Sequence, residues 1–174
     1  MKSKNFYKDY NIRFAGINYG RHTFDFVVND AFMKFYDEGF ENAINLKLKF
    51  AIEKQSETFY SLFFEFNGSL ICNCDRCLNQ IILPLNNLFK MFLKVVSENT
   101  ETDDDDIAYV SPLEFEYNIA DNIHDYILLM IPLIVHCEMA EMSCNQEMID
   151  KLNNLSANDK SIGDSLFRLN KNFN

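Results

Sequence analysis

The chain has 174 residues, of which 16 are Lys or Arg and 26 are Asp or Glu, so its formal net charge is −10. This charge opposes direct binding to nucleic acid, because that affinity comes mostly from Lys and Arg side chains that neutralise phosphates. With 48% hydrophobic residues, 17 Phe, 5 Gly and 3 Pro, the composition excludes a disordered chain and long flexible linkers. We expect a single domain over residues 1–174.

The N-terminal segment, the longest apolar run and the cysteine count indicate in which compartment the protein acts. The N-terminal segment MKSKNFYKDYNIRF is charged and lacks the apolar core of a signal peptide. The longest apolar run, YILLMIPLIV at residues 126–135, is too short to span a bilayer and contains Pro132. An odd count of five cysteines argues against a disulfide framework. These features predict a soluble, cytoplasmic protein without a membrane partner.

The first predicted strand is HTFDFVV, at residues 22–28. Apolar and polar residues alternate there, which places Phe24, Phe26 and Val28 on one face of a half-buried strand. Residues 30–37 can follow as a short helix with Asp30 as its N-cap.

Two alternating runs predict an antiparallel hairpin over residues 46–54 and 59–67, with the polar residues QSET between them. The apolar residues that share one face are Leu46, Leu48, Phe50 and Ile52 in the first run and Tyr60, Leu62, Phe64 and Phe66 in the second. Gly68 permits a bulge or bend, after which the strand can resume as LIC at residues 70–72.

Two more strands are predicted in QIILPL, at residues 80–85, and in LFKMFLKVV, at residues 88–96. The second would line one face with Phe89, Met91, Leu93 and Val95. Residues 97–106, SENTETDDDD, are typical of an exposed acidic loop, and IAYV at residues 107–110 can form a short strand.

From about residue 119, the spacing of the apolar residues changes from that of a strand to that of a helix. Apolar residues recur at helical spacing at Ile119, Ile123, Tyr126, Ile127, Met130 and Ile134. Asp121 or Asn118 could cap this helix, and Pro132 should end or bend it.

Residues 144–155 predict a second amphipathic helix that turns Met148, Ile149, Leu152 and Leu155 inward. Residues 156–174 form a less ordered tail that includes a short helix, DSLFRLNK. Strands followed by helices predict an α+β fold: a curved antiparallel meander, with barrel-like closure as an alternative, followed by a packed helix and C-terminal helices.

The cysteines fall into two clusters. Cys74 and Cys77 have the two-residue spacing of a zinc knuckle, and the second cluster supplies Cys137 and Cys144. A tetrahedral site of these four thiolates is geometrically sensible, since EMAEMS between the second pair can fold back and Cys144 precedes a helix. His136 and Cys72 are alternate ligands, because His136 adjoins the second cluster and strand alternation places Cys72 on the side of Cys74.

Three interpretations of these thiols remain open: a structural metal site, buried idle thiols and a redox CxxC motif. The redox interpretation needs the motif at the start of a helix in a βαβ context, whereas this motif follows a strand of a predicted antiparallel sheet. A thiol-redox protein using Cys74 and Cys77 is the alternative to a zinc-stabilised one.

Catalytic patterns are missing from the sequence. His22, His124 and His136 share no motif, and the chain has neither a Gly-rich phosphate loop nor a GxSxG segment. We therefore expect a protein that is not an enzyme and has no small-molecule substrate.

Two segments resemble the bacterial YceD family. The first is the Cys-x-Arg-Cys-Leu signature after a glycine-containing strand, here Cys74, Arg76, Cys77 and Leu78 in GSLICNCDRCLNQIILPL. The second is a helix that ends in Ile-Pro and is followed by His and Cys, here Ile131, Pro132, His136 and Cys144. The resemblance extends from about residue 10 to 150. The tail IGDSLFRLNKNF lacks the Pro and Trp of the family's ending.

The resemblance implies a ribosome-biogenesis factor that is required for accumulation of large-subunit ribosomal RNA. Its partner would be a large-subunit ribosomal protein or an assembly factor, with ribosomal RNA as an alternative. An acidic chain fits a basic protein partner, because complementary charges steer their encounter. Arg76 could contact phosphate, although an ion pair at the surface or a contact with the thiolates is the simpler interpretation.

Overall fold

A computed structural model of the chain describes residues 7–97 and 106–155. The strands in these ranges are β1 (Asn11–Arg13), β2 (Gly20–Asn29), β3 (Ala43–Lys54), β4 (Phe59–Asn73), β5 (Gln80–Val95), β6 (Ile107–Val110) and β7 (Glu116–Asn118). The helices are α1 (Asp30–Tyr36), α2 (Ala120–Met130) and α3 (residues 146–155). Tyr7–Tyr10 and Cys137–Ala140 form single 3-10 turns.

The main sheet has five strands in the order β2-β3-β4-β5-β6, and it is curved but does not close. The α+β prediction and the antiparallel meander are confirmed, without the barrel-like closure. One pairing differs from the prediction, since β6 runs parallel to β5 from Phe92↔Ile107 to Val95↔Val110. A long connection between these strands permits the parallel direction, which a tight turn would not.

The β3–β4 hairpin carries the centre of the hydrophobic core. Its register runs without offset from Ala43↔Ile71 to Lys54↔Tyr60. The predicted inward residues, Leu46, Leu48, Phe50, Ile52, Tyr60, Leu62, Phe64 and Phe66, are all buried. Burial of large apolar side chains stabilises a fold by about 1.5–3 kcal/mol each.

Gly68 lies in an unbroken stretch of β4, so the predicted bulge or bend is wrong. It pairs with Leu46, and a Cβ added at Gly68 would lie 2.1 Å from the Asn45 carbonyl oxygen. The glycine is needed because the backbone of β3 approaches too closely for any side chain.

Two local predictions also need correction. The N-cap of α1 is Asn29, whose Oδ1 accepts hydrogen bonds from the N–H groups of Ala31 and Phe32, whereas Asp30 accepts one from Ile44 N–H at 2.6 Å. The two strands predicted over residues 80–96 are one strand, β5. Pro84 is tolerated within it because β6 pairs only from Phe92 onward.

Helix α2 packs its aromatic side chain on the sheet. Tyr126 stacks on Phe89, with ring centroids 4.3 Å apart, and meets Phe64 edge-on. The helix ends at Met130, just before Pro132, as predicted. Ile119 occupies the N-cap position of α2 and makes no side-chain capping bond, while Asn118, one residue earlier, accepts a hydrogen bond from the Ala120 N–H. Ile134, predicted in the apolar stripe, lies beyond the helix and is exposed.

The chain divides into two compact units. The first unit contains the residues up to Ile71 together with Pro84–Pro132, and the second contains Cys72–Leu83 together with the residues from Leu133 onward. The prediction of one domain over residues 1–174 stays a prediction. None of the helices in the described ranges has the length and apolar character that a transmembrane span requires.

Several predictions fall outside the described residues. They are most of the acidic loop at residues 97–106 and the whole tail at residues 156–174, including its short helix. Within the described part of α3, Met148 and Ile149 are half-buried, but Leu152 and Leu155 are 42% and 64% exposed. The prediction that all four turn inward is therefore wrong for the last two.

Candidate metal centre

The first cysteine pair lies on the turn between β4 and β5. The Cys74 N–H donates to the Asn79 carbonyl at 2.9 Å, and the Leu78 N–H donates to the Cys74 carbonyl at 2.9 Å. Leu78 adopts φ 60°, the left-handed region that is costly for a residue with a Cβ. The turn folds back tightly enough to bury both Cys74 and Cys77.

The second pair lies between α2 and α3. Cys137 begins the 3-10 turn, and Glu141 reverses the chain with φ 55°, so that the Met142 N–H reaches the Cys137 carbonyl at 3.0 Å. Cys144 follows two residues later and directly precedes Asn145, which caps α3 by accepting a hydrogen bond from the Met148 N–H. The six intervening residues thus fold back as a loop, as the sequence predicted.

Direct contacts join the two cysteine segments inside the second unit. The Asp75 N–H donates to the Val135 carbonyl at 2.8 Å, and the Val135 N–H donates to Asp75 Oδ2 at 2.5 Å. Arg76 lies 3.6 Å from Glu138 as an exposed ion pair. These contacts hold the turn of the first pair against the residues on both sides of Cys137.

The four sulfur atoms of Cys74, Cys77, Cys137 and Cys144 lie within 4.8 Å of one another. The Sγ atoms of Cys77 and Cys137 are 3.4 Å apart, and those of Cys74 and Cys144 are 3.8 Å apart. In a tetrahedral site with zinc–sulfur bonds of about 2.3 Å, neighbouring sulfurs are separated by about 3.8 Å. The donor set and its spacing therefore fit a metal with four thiolate ligands, and all five cysteines are free of disulfide bonds.

Backbone N–H groups point at the first pair of sulfurs. Burial raises the pKa of the Cys74 thiol, but hydrogen bonds from the N–H groups of Cys77 and Arg76 outweigh it and bring that pKa to about 6. The N–H groups of Asn145 and Asn79 lower the pKa of Cys77. Both effects favour the thiolate, which is the form that binds a metal.

Burial acts in the opposite direction on the second pair. It raises the pKa of Cys137, and the neighbouring thiols at Cys77 and Cys74 raise it further. Burial also raises the pKa of Cys144. Four thiolates in one small volume repel one another, so a divalent cation would neutralise the charge that this arrangement concentrates.

The two alternate ligands lie outside the group of four. Cys72 is buried near the end of β4, and burial raises its pKa. His136 directly precedes Cys137, and its buried Nδ1 has no hydrogen-bond partner among the described residues. The redox interpretation is not favoured, because the CxxC segment lies between two strands and not at the start of a helix.

Two contributors to the site were absent from the sequence prediction. Asp75 joins the two cysteine segments. The sequence could have predicted such a role, since Asp in a short turn commonly accepts hydrogen bonds from nearby backbone N–H groups. Asn145 caps α3 and donates to Cys77. Asn is a preferred N-cap, which would have moved the predicted helix start from residue 144 to residue 146.

Comparison with known proteins gives a family match. The family model described as "Large ribosomal RNA subunit accumulation protein YceD" matches residues 62–167, more than half of the 174-residue chain. No curated protein and no solved structure matches the chain. All four clustered cysteines lie inside the matched residues. The chain therefore belongs to the YceD family of large ribosomal RNA subunit accumulation proteins.

Proposed function

We propose that this protein is a non-enzymatic, cytoplasmic factor in biogenesis of the large ribosomal subunit and that a structural zinc ion stabilises it. The observation that carries the proposal is the family match over residues 62–167, which includes the complete four-cysteine group. Its function would be to support accumulation of large-subunit ribosomal RNA.

The zinc assignment is supported by the chemistry of the four donors. Four cysteine sulfurs form the donor set of a closed structural zinc site, which leaves no open coordination position for catalysis. Cys74, Cys77 and Cys137 are buried, and Cys144 is half-buried, so the site would be shielded from solvent. A zinc ion held there would crosslink the two cysteine segments and contribute directly to the folding free energy.

The partners would be a basic large-subunit ribosomal protein or assembly factor, or ribosomal RNA. A net charge of −10 favours the protein partner through long-range attraction, with an association rate that falls as salt is added. Arg76 is half exposed while it pairs with Glu138, so its guanidinium can also contact a phosphate.

Depletion of the protein in its source organism tests the ribosomal role. We expect the amount of large-subunit ribosomal RNA to fall, while small-subunit ribosomal RNA stays closer to its normal amount. Re-expression of the wild-type chain or of Cys72→Ser should restore the profile, and Cys74→Ser should not. Unchanged large-subunit ribosomal RNA after depletion would overturn the proposed function.

Native mass spectrometry of protein purified without chelator tests the zinc assignment. We expect one zinc ion per chain in the wild type and in Cys72→Ser, and none in Cys74→Ser. The mass also separates zinc from iron, which four thiolates can hold as well. A metal-free wild-type protein that keeps its full thermal stability would contradict the assignment.

A further inference from the structure

The exposed face of the main sheet carries a group of cations and aromatic rings at one end. In β4 and β5, alternate residues such as Phe64 and Leu93 are buried, while their neighbours point to the opposite side. We call this group the cation–aromatic face; its members are Arg21, Phe59, Phe63, Lys90, Phe92 and Lys94. The three cations are exposed and the three rings are half-buried.

Close contacts link five of these six side chains, which come from β2, β4 and β5. The Arg21 guanidinium carbon lies 4.6 Å from the centroid of the Phe63 ring. Lys90 Nζ lies 5.4 Å from the Phe63 centroid and 4.7 Å from that of Phe92, which stacks on Phe59 at 5.3 Å. Ala51 pairs with Phe63 on the neighbouring strand, and its small side chain leaves room for Arg21 to reach across β3.

Among the described side chains, the cation–aromatic face carries a charge opposite to that of the whole chain. No carboxylate in the described residues forms an ion pair with Arg21, Lys90 or Lys94. Two acidic residues adjoin this end of the face: Glu53 pairs with Arg21 in the β2–β3 register, and the Asp106 carbonyl accepts a hydrogen bond from the Phe92 N–H. Farther along the same face, Lys49 pairs with Asp25 on one side and Glu65 on the other, so that end is balanced. Lys47 and Lys49 form no ion pair in the described residues either, so the two ends differ in their register neighbours: two carboxylates flank Lys49 and one flanks Arg21.

We propose that the cation–aromatic face binds single-stranded RNA. Lys90 and Lys94 would neutralise phosphates, while the planar Arg21 guanidinium and the phenylalanine rings would stack on unpaired bases. An acidic peptide would pair with the cations but would gain little from the rings, and paired bases in a duplex could not reach them. The proposal rests on the proposed function, since ribosomal RNA supplies the single strands.

Fluorescence anisotropy with a fluorescein-labelled single-stranded RNA of about 12 nucleotides tests the proposal, since sites of this kind cover about 4–16 nucleotides. We expect wild-type binding that weakens steeply with salt. The double variant Lys90→Ala/Lys94→Ala should weaken it about tenfold and reduce the salt slope by about 1–2. Phe63→Leu, which keeps an apolar side chain but removes the ring, should weaken it about fivefold, within the range of one lost stacking contact.

The matched control is Lys47→Ala/Lys49→Ala, which removes two lysines from the other end of the same face. It should change RNA affinity less than about twofold, because neither lysine forms a cation–π contact with the described rings and Lys49 is already flanked by carboxylates. Zinc content and circular dichroism of every variant check that the fold is intact.

Several results would overturn the proposal. They are no RNA binding at low salt, an equal loss in the control variant, equal binding of duplex RNA, or displacement of the RNA by poly-glutamate at equal charge concentration. Re-expression in depleted cells separates the two proposals. Normal large-subunit ribosomal RNA with Lys90→Ala/Lys94→Ala would reject the RNA-binding role of this face and leave the proposed function standing.

Discussion

The two units differ in what fills their interiors. In the first unit the buried residues are mainly Phe, Leu and Ile from the sheet and α2, with Phe50, Phe64 and Leu46 fully buried. In the described part of the second unit the buried residues are Cys72, Cys74, Cys77, Ile81, Leu83, Val135 and Cys137, so four of the seven are cysteines. The first unit thus depends on hydrophobic burial, and the described part of the second unit buries too few apolar side chains for that.

The exposed apolar residues of the second unit support this difference. In the second unit Leu133 is fully exposed, and Leu78, Ile82 and Ile134 are each about 60% exposed. Its sequence therefore has apolar residues, but most of them do not form a core. A bound metal is the physical alternative to a core in small structural units, since zinc binding contributes about 10–16 kcal/mol at neutral pH.

Removal of the proposed zinc ion should have the largest effect and should destabilise the second unit more than the first. Cys77→Ser, or wild type treated with a strong chelator, should lose hydrogen-exchange protection at residues 74–79 and 137–145, because the thiolate crosslink is gone. The amides of β3 and of residues 59–66 in β4 should stay protected, because apolar burial holds them. Hydrogen exchange with mass spectrometry measures both.

Cys72→Ser is the control for this prediction, since Cys72 is buried nearby but lies outside the group of four. Protection at residues 74–79 that survives chelation would show that the second unit does not need a metal. Equal loss of protection in both units would show that the two units are not stabilised by different interactions.

Gly68→Ala should act on the first unit instead. The new Cβ would lie 2.1 Å from the Asn45 carbonyl oxygen and 2.9 Å from Leu46 Cα, so the two strands must move apart. We expect a loss of roughly 3 kcal/mol in the free energy of unfolding, measured by urea denaturation. Asn67→Ala, one residue earlier on the exposed side of β4, should change it by less than about 0.5 kcal/mol.

The same Gly68→Ala protein should still bind one zinc ion in native mass spectrometry, because the hydrogen bonds that join the cysteine segments lie in the second unit and involve neither Gly68 nor Leu46. If Gly68→Ala loses the metal as well as stability, the two units are not stabilised independently.

The hairpin and the cysteine group were predictable for different reasons. Strict alternation in residues 46–54 and 59–67 fixes which face is buried, because a shift of one residue would expose every apolar side chain. The cysteine pairs were predictable from ligand spacing, although their proximity depends on the Asp75–Val135 contact, which has no periodic signal.

The remaining misses have physical causes as well. The three-residue strands β1 and β7 pair across more than a hundred residues, and such short segments carry no readable period. The parallel direction of β6 depends on the path of its connection rather than on its own four residues. Gly68 allows a bend or a close approach equally well, and the position of β3 decides between them.

Leu78→Gly should moderately increase the stability of the second unit. Leu78 has φ 60° and is 65% exposed, so glycine removes backbone strain and gives up little packing. We expect a gain of about 1 kcal/mol, seen as zinc retained at about fivefold higher concentrations of a competing chelator. Leu78→Ala keeps the Cβ and should show no gain. Equal behaviour of the two variants would mean that the turn is unstrained.

Arg76→Ala should have the smallest effect on stability. The Arg76–Glu138 pair spans 3.6 Å, and its side chains are 50% and 74% exposed, so solvent screens most of the attraction. A double-mutant cycle with Glu138→Ala, followed by thermal unfolding of the zinc-bound protein, should give a coupling below about 0.5 kcal/mol. A coupling free energy above about 1 kcal/mol would show that the Arg76–Glu138 pair helps to hold the two cysteine segments together. With a small coupling, failure of Arg76→Ala to restore large-subunit ribosomal RNA in depleted cells would identify Arg76 as a contact residue, since the fold and the metal would both be intact.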